Sequence, residues 1–524
     1  MTDVVTVWEA GPSTRRAAGA ERVRAAHRAK RPGGGWFSTL LVVTLGSFLA
    51  ALDTSSVNVA LPSIERALSA GADDGRWVST GYSLAMGVAI PLSKWLSDRI
   101  GITRLYILCL VVFTGGSALC GLSWDIGSMI AFRLLQGVPG GLLGVLGMTL
   151  LFATAPREKI GMAMGLYGLG IVVAPGVGPA MGGWFVENST WQMIFFAKIP
   201  IGIAVVLAAW KILPRTGSTS RPPFDLWGFV TIAVALTTLL MATAEGNDWG
   251  WTSYPTVILL IVSLLAFALF VVVENEVDTP LLDLKVFLSR TYSIGLLIVV
   301  LVTTAMFGSL FYIPQLLLGV MGLNALEAGL VMMPSALAMA AMAPVAGRVY
   351  DRFGARLPVF CGLALTTFAC VLMAQVTTNV SESDVIWWSV LFNVGVGLSM
   401  MPAMSVGMNA LPPDRIASGS ALNQVAIRSV SALAVAGLGA VLTILQAQLM
   451  VGESVLMHTG PAMPPTLARA SEEGGVTLRA LYAALQLDVA ATAFADIFLV
   501  LGGCAAIGAL LGLLLPGRKR AGSV

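Results

Sequence analysis

Fourteen apolar stretches, each about 20 residues long, recur between residues 36 and 515, and this repetition decides what solvent the chain folds in. A helix of that length crosses the roughly 30 Å hydrocarbon core of a bilayer. Without barrel closure, only helices satisfy so many backbone groups in lipid. The stretches run 36-58, 77-97, 104-123, 129-151, 160-182, 192-213, 226-244, 254-273, 292-313, 328-347, 357-377, 385-408, 419-445 and 493-515. Composition agrees: 11% of residues are charged, against roughly 25% in soluble domains. The expected fold class is therefore an all-α integral membrane protein.

An even number of crossings puts both termini on one side, and the basic residues say which. Seven, Arg15, Arg16, Arg22, Arg24, Arg28, Lys30 and Arg31, precede the first stretch, and Arg518, Lys519 and Arg520 follow the last. Loops on the same side carry Arg99, Arg104, Arg157, Lys159, Lys211, Arg215, Arg221, Lys285, Arg290, Arg348, Arg352, Arg356 and Arg415, whereas the opposite side has Arg66, Arg76, Arg469 and Arg479. This asymmetry predicts that both termini are cytoplasmic. Residues 1-35 read as a disordered basic arm and 516-524 as a basic tail. The arm does not resemble a cleaved signal peptide, because the apolar stretch after it is long and leads into another. The 446-492 segment is the one long outer loop, open to two readings: a flexible connector, or a docking site for a periplasmic adaptor protein. All five cysteines lie in apolar stretches, and His27 and His458 lie outside them, so neither metal nor cofactor is expected.

A charge near the bilayer centre costs at least roughly 2.5 to 3.5 kcal/mol, which makes each one a candidate for function. Asp53 sits in the first stretch, followed by Asn58. Burial and a nearby cation act on its protonation in opposite directions, which suits a group that takes and releases a proton; the alternative is that Asp53 and Asn58 only tie helices together by hydrogen bonds. Arg133, with Gln136 and Gly137, must face the protein and find an acceptor, either tuning an acid, holding a substrate or clamping helices. Asn423, Gln424 and Arg428 share one side of the thirteenth stretch, with Arg428 expected at a gate. Lys198 lies near the outer end of the sixth and is expected to snorkel to the interface.

Several of these residues fall into recognisable motifs. The first stretch carries Leu52-Asp53, Thr54 and Asn58-Val59-Ala60-Leu61-Pro62. Leu96-Ser97-Asp98-Arg99-Ile100-Gly101 follows the second, and Gly347-Arg348-Val349-Tyr350-Asp351-Arg352-Phe353-Gly354 repeats it after the tenth. The fifth contains Ala174-Pro175-Gly176-Val177-Gly178-Pro179-Ala180-Met181-Gly182-Gly183. On these residues the chain, from 36 to 515, resembles the EmrB-type, fourteen-helix drug:proton antiporters of the major facilitator superfamily. The resemblance implies two six-helix bundles, 36-213 and 292-515, with two additional helices in 214-291. It implies proton coupling through Asp53 and Arg133, and gating at Asp98, Arg99, Gly101, Asp351, Arg352 and Arg428. Pro175, Gly178, Pro179, Gly182 and Gly183 match the motif that marks exporters. Departures exist: Lys94 replaces a leading glycine, Ile102 and Thr103 replace a basic pair, and Lys198 replaces an asparagine. The last bears on coupling or on substrate charge. Asp98 is expected to latch onto the N-terminal end of the thirteenth helix, whose dipole attracts a carboxylate.

Methionines crowd the C-terminal half, and polarizable, flexible side chains suit a pocket for varied apolar ligands; filler against lipid or core is the other reading. Asn58, Gln136, Met333 and Met404 are the substrate-binding candidates. The expected function is export of amphipathic drug-like or natural-product molecules in exchange for protons; the alternative is a dedicated transporter of a single metabolite, siderophore or lipid. No nucleotide loop or His/Asp cluster at a membrane face supports an enzyme, and no nucleic-acid partner is expected.

Overall fold

A computed structural model describes residues 35–214, 222–378, 380–459 and 478–517; the basic arm, most of the basic tail and the middle of the outer loop lie outside them. The described residues fold into helices joined by short turns. In chain order the long helices are α1 Trp36–Ala67, α2 Ala72–Ala89, α3 Ile102–Gly121, α4 Ile126–Thr154, α5 Ile160–Asn188, α6 Lys198–Ile212, α7 Leu226–Trp249, α8 Tyr254–Glu276, α9 Arg290–Gly319, α10 Ala325–Phe353, α11 Arg356–Met373, α12 Glu382–Asn409, α13 Ile416–Thr459 and α14 Leu478–Gly512. Thirteen stretches of helix among the described residues are long and apolar enough to cross a membrane. The remaining crossing is α2, which a 3-10 turn at Ile90–Leu92, containing Pro91, separates from its continuation Ser93–Ile100. From residue 72 to 100 it spans about 43 Å at 1.5 Å per residue.

Local chemistry explains where helices start and stop. Asp125 and Ser128 form a reciprocal capping box at the start of α4, and Asn324 and Glu327 form another at α10. Gly101 (φ 91°) and Gly354 (φ 83°) end the two copies of the repeated loop motif. Both occupy backbone space that side chains with a Cβ avoid, so the duplication extends to backbone conformation.

In the N-terminal half α1 packs on α4 and α5, α2 on α4, and α3 on α4 and α6; in the other half α9 packs on α12, α13 and α14, α10 on α12, and α11 on α12 and α14. Two seams join the halves. At one, α5 lies against α10, where a Cβ on Gly347 would fall on the Gly161 carbonyl. At the other, α4 meets α13, and the Ser420 hydroxyl donates to the Val145 carbonyl at 3.1 Å. Lipid supplies no hydrophobic drive between helices, so such close approach by small residues is what holds them. Both seams lie toward the face at which α1 begins and α14 ends, here termed the terminal face. The two halves are in contact at that face, an arrangement here called closed.

The additional hairpin α7–α8 is no detached pair. Ile232 and Leu236 of α7 and Phe270 of α8 share an apolar cluster with Ile90, Val145 and Val425, so the hairpin touches both halves. The outer loop also differs from expectation: α13 continues to Thr459 and α14 begins at Leu478, so helix covers much of what reads in sequence as connector.

Candidate functional site

Asp53 occupies the middle of the N-terminal half, with 0% of its side chain exposed; Arg133 and Lys198, at 1% and 2%, both form ion pairs with it. One carboxylate oxygen takes the Arg133 guanidinium. The other takes the Lys198 ammonium and the Gln136 amide, the latter at 3.3 Å. Arg133 also donates to the Gln136 side-chain oxygen at 2.9 Å and through Nε to the Val78 carbonyl at 3.2 Å, and its plane lies 3.9 Å from the centre of the Tyr82 ring. Such saturation is what a buried guanidinium requires, since it cannot shed its charge.

The helices place these groups through glycine. Arg133, Gly137 and Gly141 recur at intervals of four, one above the other on one face of α4. A Cβ on Gly137 would lie 2.6 Å from the Tyr82 carbonyl, so the absence of side chains there lets α2 in and brings Val78 and Tyr82 under the arginine. The same spacing governs α5. Ala174, Gly178 and Gly182 face α1 immediately after Asp53: the Ser55 hydroxyl donates to the Ala174 carbonyl at 3.2 Å, and a Cβ on Gly182 would sit 2.7 Å from the Ser56 carbonyl. Gly183 and Pro179 point elsewhere; nothing lies within 4 Å of a Cβ on Gly183, and Pro179 is exposed.

Two expectations change here. Lys198 does not snorkel; a partner of opposite charge in the interior outweighs the distance to water, and the ammonium turns inward. The expected latch of Asp98 onto the start of α13 also gives way. The carboxylate that caps a helix across the halves belongs to the second motif copy: Asp351 accepts from the backbone nitrogens of Gly161 and Met162, at 2.8 and 2.9 Å, at the N-terminal end of α5. A short helix-to-helix distance at Gly161 and Gly347 makes that reach possible. Asp98 instead lines a cavity of about 310 Å³ with Lys94, Pro222, Asp225, Asp283 and Arg415, between the first motif copy and the loops flanking the additional hairpin. Arg99 and Arg352 project from the terminal face over Trp95 and Phe353.

The substrate candidates separate. Gln136 belongs to the charge cluster, and Met404 is packed in the core at 4% exposure. Asn58 is exposed and accepts from Ser79 at 2.8 Å, and Met333 shares an exposed stripe with Leu330 and Leu337. Arg428 approaches Tyr82 from the other half, and no ion pair among the described residues reaches it.

Comparison with known proteins settles the family. The profile of the Major Facilitator Superfamily matches residues 43–436. The chain belongs to the major facilitator superfamily. Within the superfamily it is 32% identical over 395 residues to the multidrug export protein EmrB of Haemophilus influenzae, covering 74% of this chain and 77% of that one. It is 33% identical to the multidrug resistance protein Stp of Mycobacterium tuberculosis, covering 76% and 75%. The tetracenomycin C resistance and export protein of Streptomyces glaucescens is 30% identical, covering 84% and 82%. Among solved folds, the human organic anion transporter MFSD10 superposes with TM-score 0.59 at 16% identity, covering 92% of this chain and all of that one. The proton:xylose symporter XylE gives 0.60 at 14%, covering 92% and 96%. The superfamily consists of transporters, and the chain is a multi-pass membrane protein, not an enzyme.

Sequence reasoning missed Lys198 and Tyr82 as members of the cluster. A signal for the first existed: between Arg133 and Lys198 there are two interior cations in the N-terminal half, and Asp53 is the acid placed deep enough to serve both. Tyr82 carries no such signal, since its role depends on how closely α2 approaches α4.

Proposed function

We propose that the chain exports amphipathic drug-like or natural-product molecules across a bacterial inner membrane in exchange for protons, with both termini and the terminal face cytoplasmic. The charge cluster around Asp53 is the seat of proton exchange, with Arg133 fixing its geometry. The observation that carries this reading is a carboxylate on α1, sealed from solvent and held by two cations, Arg133 of α4 and Lys198 of α6, within a turn of the point where α1 packs on the exporter motif of α5. The relatives named as multidrug and antibiotic exporters support the substrate class. Alternation between arrangements follows from the two seams: opening the α5–α10 and α4–α13 contacts would admit cargo from the terminal face, and closing them would release it on the other.

Each proton moving down 100 mV releases roughly 2.3 kcal/mol, enough for about a fortyfold gradient of a neutral cargo. The test uses everted vesicles and ethidium as probe. Uptake into the vesicles should depend on the proton gradient, collapse with an uncoupler and vanish in Asp53→Asn, with the variant's membrane level matched by blotting. Uptake that survives the uncoupler would rule out proton coupling.

A further inference from the structure

The cluster holds more positive charge than its one acid can balance. Asp53 faces Arg133 from α4 and Lys198 from α6, and all three side chains are buried. The remaining titratable groups that face the ammonium are few. Cys120 of α3 lies near it, its sulfur 3.5 Å from the Gln136 oxygen, and Tyr82 of α2 lies beyond the guanidinium. On α6 itself the next charged residue, Lys211, is 13 residues or about 20 Å further along. With all three partners ionised the cluster carries one surplus positive charge.

We propose that Lys198, rather than Asp53, gains and loses the exchanged proton, so that the cluster alternates between a cationic and a neutral state. This inference rests on the antiporter reading above and specifies which atom carries the proton. Arg133 keeps its charge in any state. Adding a proton to Asp53 removes both attractions and leaves two cations side by side. Removing one from Lys198 gives up one attraction, relieves the repulsion between the two cations, and leaves a neutral ion pair. Burial penalises uncompensated charge most heavily, so the second exchange is the cheaper.

The chemistry balances without a co-reactant. The Lys198 ammonium releases H⁺ to water and becomes an amine whose nitrogen lone pair is free; rebinding H⁺ restores the ammonium. No other bond forms or breaks, and the Asp53–Arg133 pair persists in both states. The structural consequence is local. The α1–α4 tie through Arg133 stays constant, whereas the α1–α6 tie through Lys198 alternates between an ion pair and a hydrogen bond from an uncharged amine to the carboxylate. Because α1 also packs along α5, and α5 forms the seam with α10, a change in how α1 is held reaches the contact that opens and closes.

The test reads protonation at both atoms in the full chain, reconstituted in lipid nanodiscs with ¹³C-labelled lysine and aspartate. The Lys198 signal is identified by its loss in Lys198→Gln, and the Asp53 signal by its loss in Asp53→Asn. The expected result is that Lys198 changes between its charged and neutral chemical shifts over the pH range in which ethidium export is proton-coupled, while the Asp53 carboxyl keeps the shift of the ion. A Lys198 that stays charged while Asp53 titrates overturns the proposal. In vesicles Lys198→Arg, which keeps the charge and cannot release it, should lose uncoupler-sensitive ethidium accumulation. Full rescue by arginine would mean that the charge matters and the exchange does not, and would overturn it too. Uncoupler-insensitive export by the wild type removes the antiporter reading together with this one; uncoupler-sensitive export with a permanently charged Lys198 removes this one alone.

Discussion

Removing the Asp351 carboxylate perturbs the closed terminal face at one identifiable point. In the closed arrangement its two oxygens accept from Gly161 and Met162 at 2.8 and 2.9 Å, at the positive end of the α5 dipole. A hydrogen bond to a charged group contributes about 1.5 to 3 kcal/mol when shielded. Asp351 is only partly buried, and water replaces part of what is lost, so the net contribution of the pair is about 1 to 3 kcal/mol. The contact joins α10 of one half to α5 of the other and exists only while the halves meet at this face. Its loss therefore acts on the equilibrium between closed and open arrangements, by about 5- to 150-fold. Spin labels at Glu158 and Leu357, both exposed on this face, would report the separation of the halves in a background lacking the exposed Cys361. Asp351→Ala should move population toward the longer distance, and Asp351→Asn, which keeps an uncharged acceptor, should fall between it and the wild type. A distance distribution unchanged in a folded Asp351→Ala protein would refute the view that this cap holds the seam shut.

Two further outcomes test the packing argument. Gly182→Val should lower the thermal midpoint, because its Cβ would meet the Ser56 backbone at 2.7 Å and overpacking costs about 1 to 3 kcal/mol, whereas Gly183→Val, with open space around it, should leave the midpoint nearly unchanged; equal losses would contradict the assignment of the α1-facing side of α5. Gly354→Ala should destabilise by about 1 to 3 kcal/mol because the position has φ 83° and ψ −175°, and an unchanged midpoint would show that the turn relaxes freely.

The membrane character, the helix count and the approximate ends of the spans, other than the two that flank the outer loop, were legible in the sequence, because lipid imposes a length and a polarity on every segment regardless of its neighbours. Rarity made Asp53 and Arg133 legible as well: a charge in a span is conspicuous wherever it points. The duplicated loop motif was readable, yet which copy caps which helix was not, since that depends on whether α5 and α10 approach within hydrogen-bond reach. The additional hairpin could be counted from hydropathy, but its wedge against both halves could not.

What the sequence determined by itself is therefore what each segment negotiates with the solvent: which residues cross, and which of those that cross carry a charge. Tertiary structure decided what helices negotiate with one another. Lys198 illustrates the division, for its charge is written in the chain, whereas its choice of Asp53 over the membrane interface arises only when α6 is set beside α1, 145 residues away. Electrostatic pairing falls off with distance in space, and sequence separation carries no information about that distance until the bundle is packed.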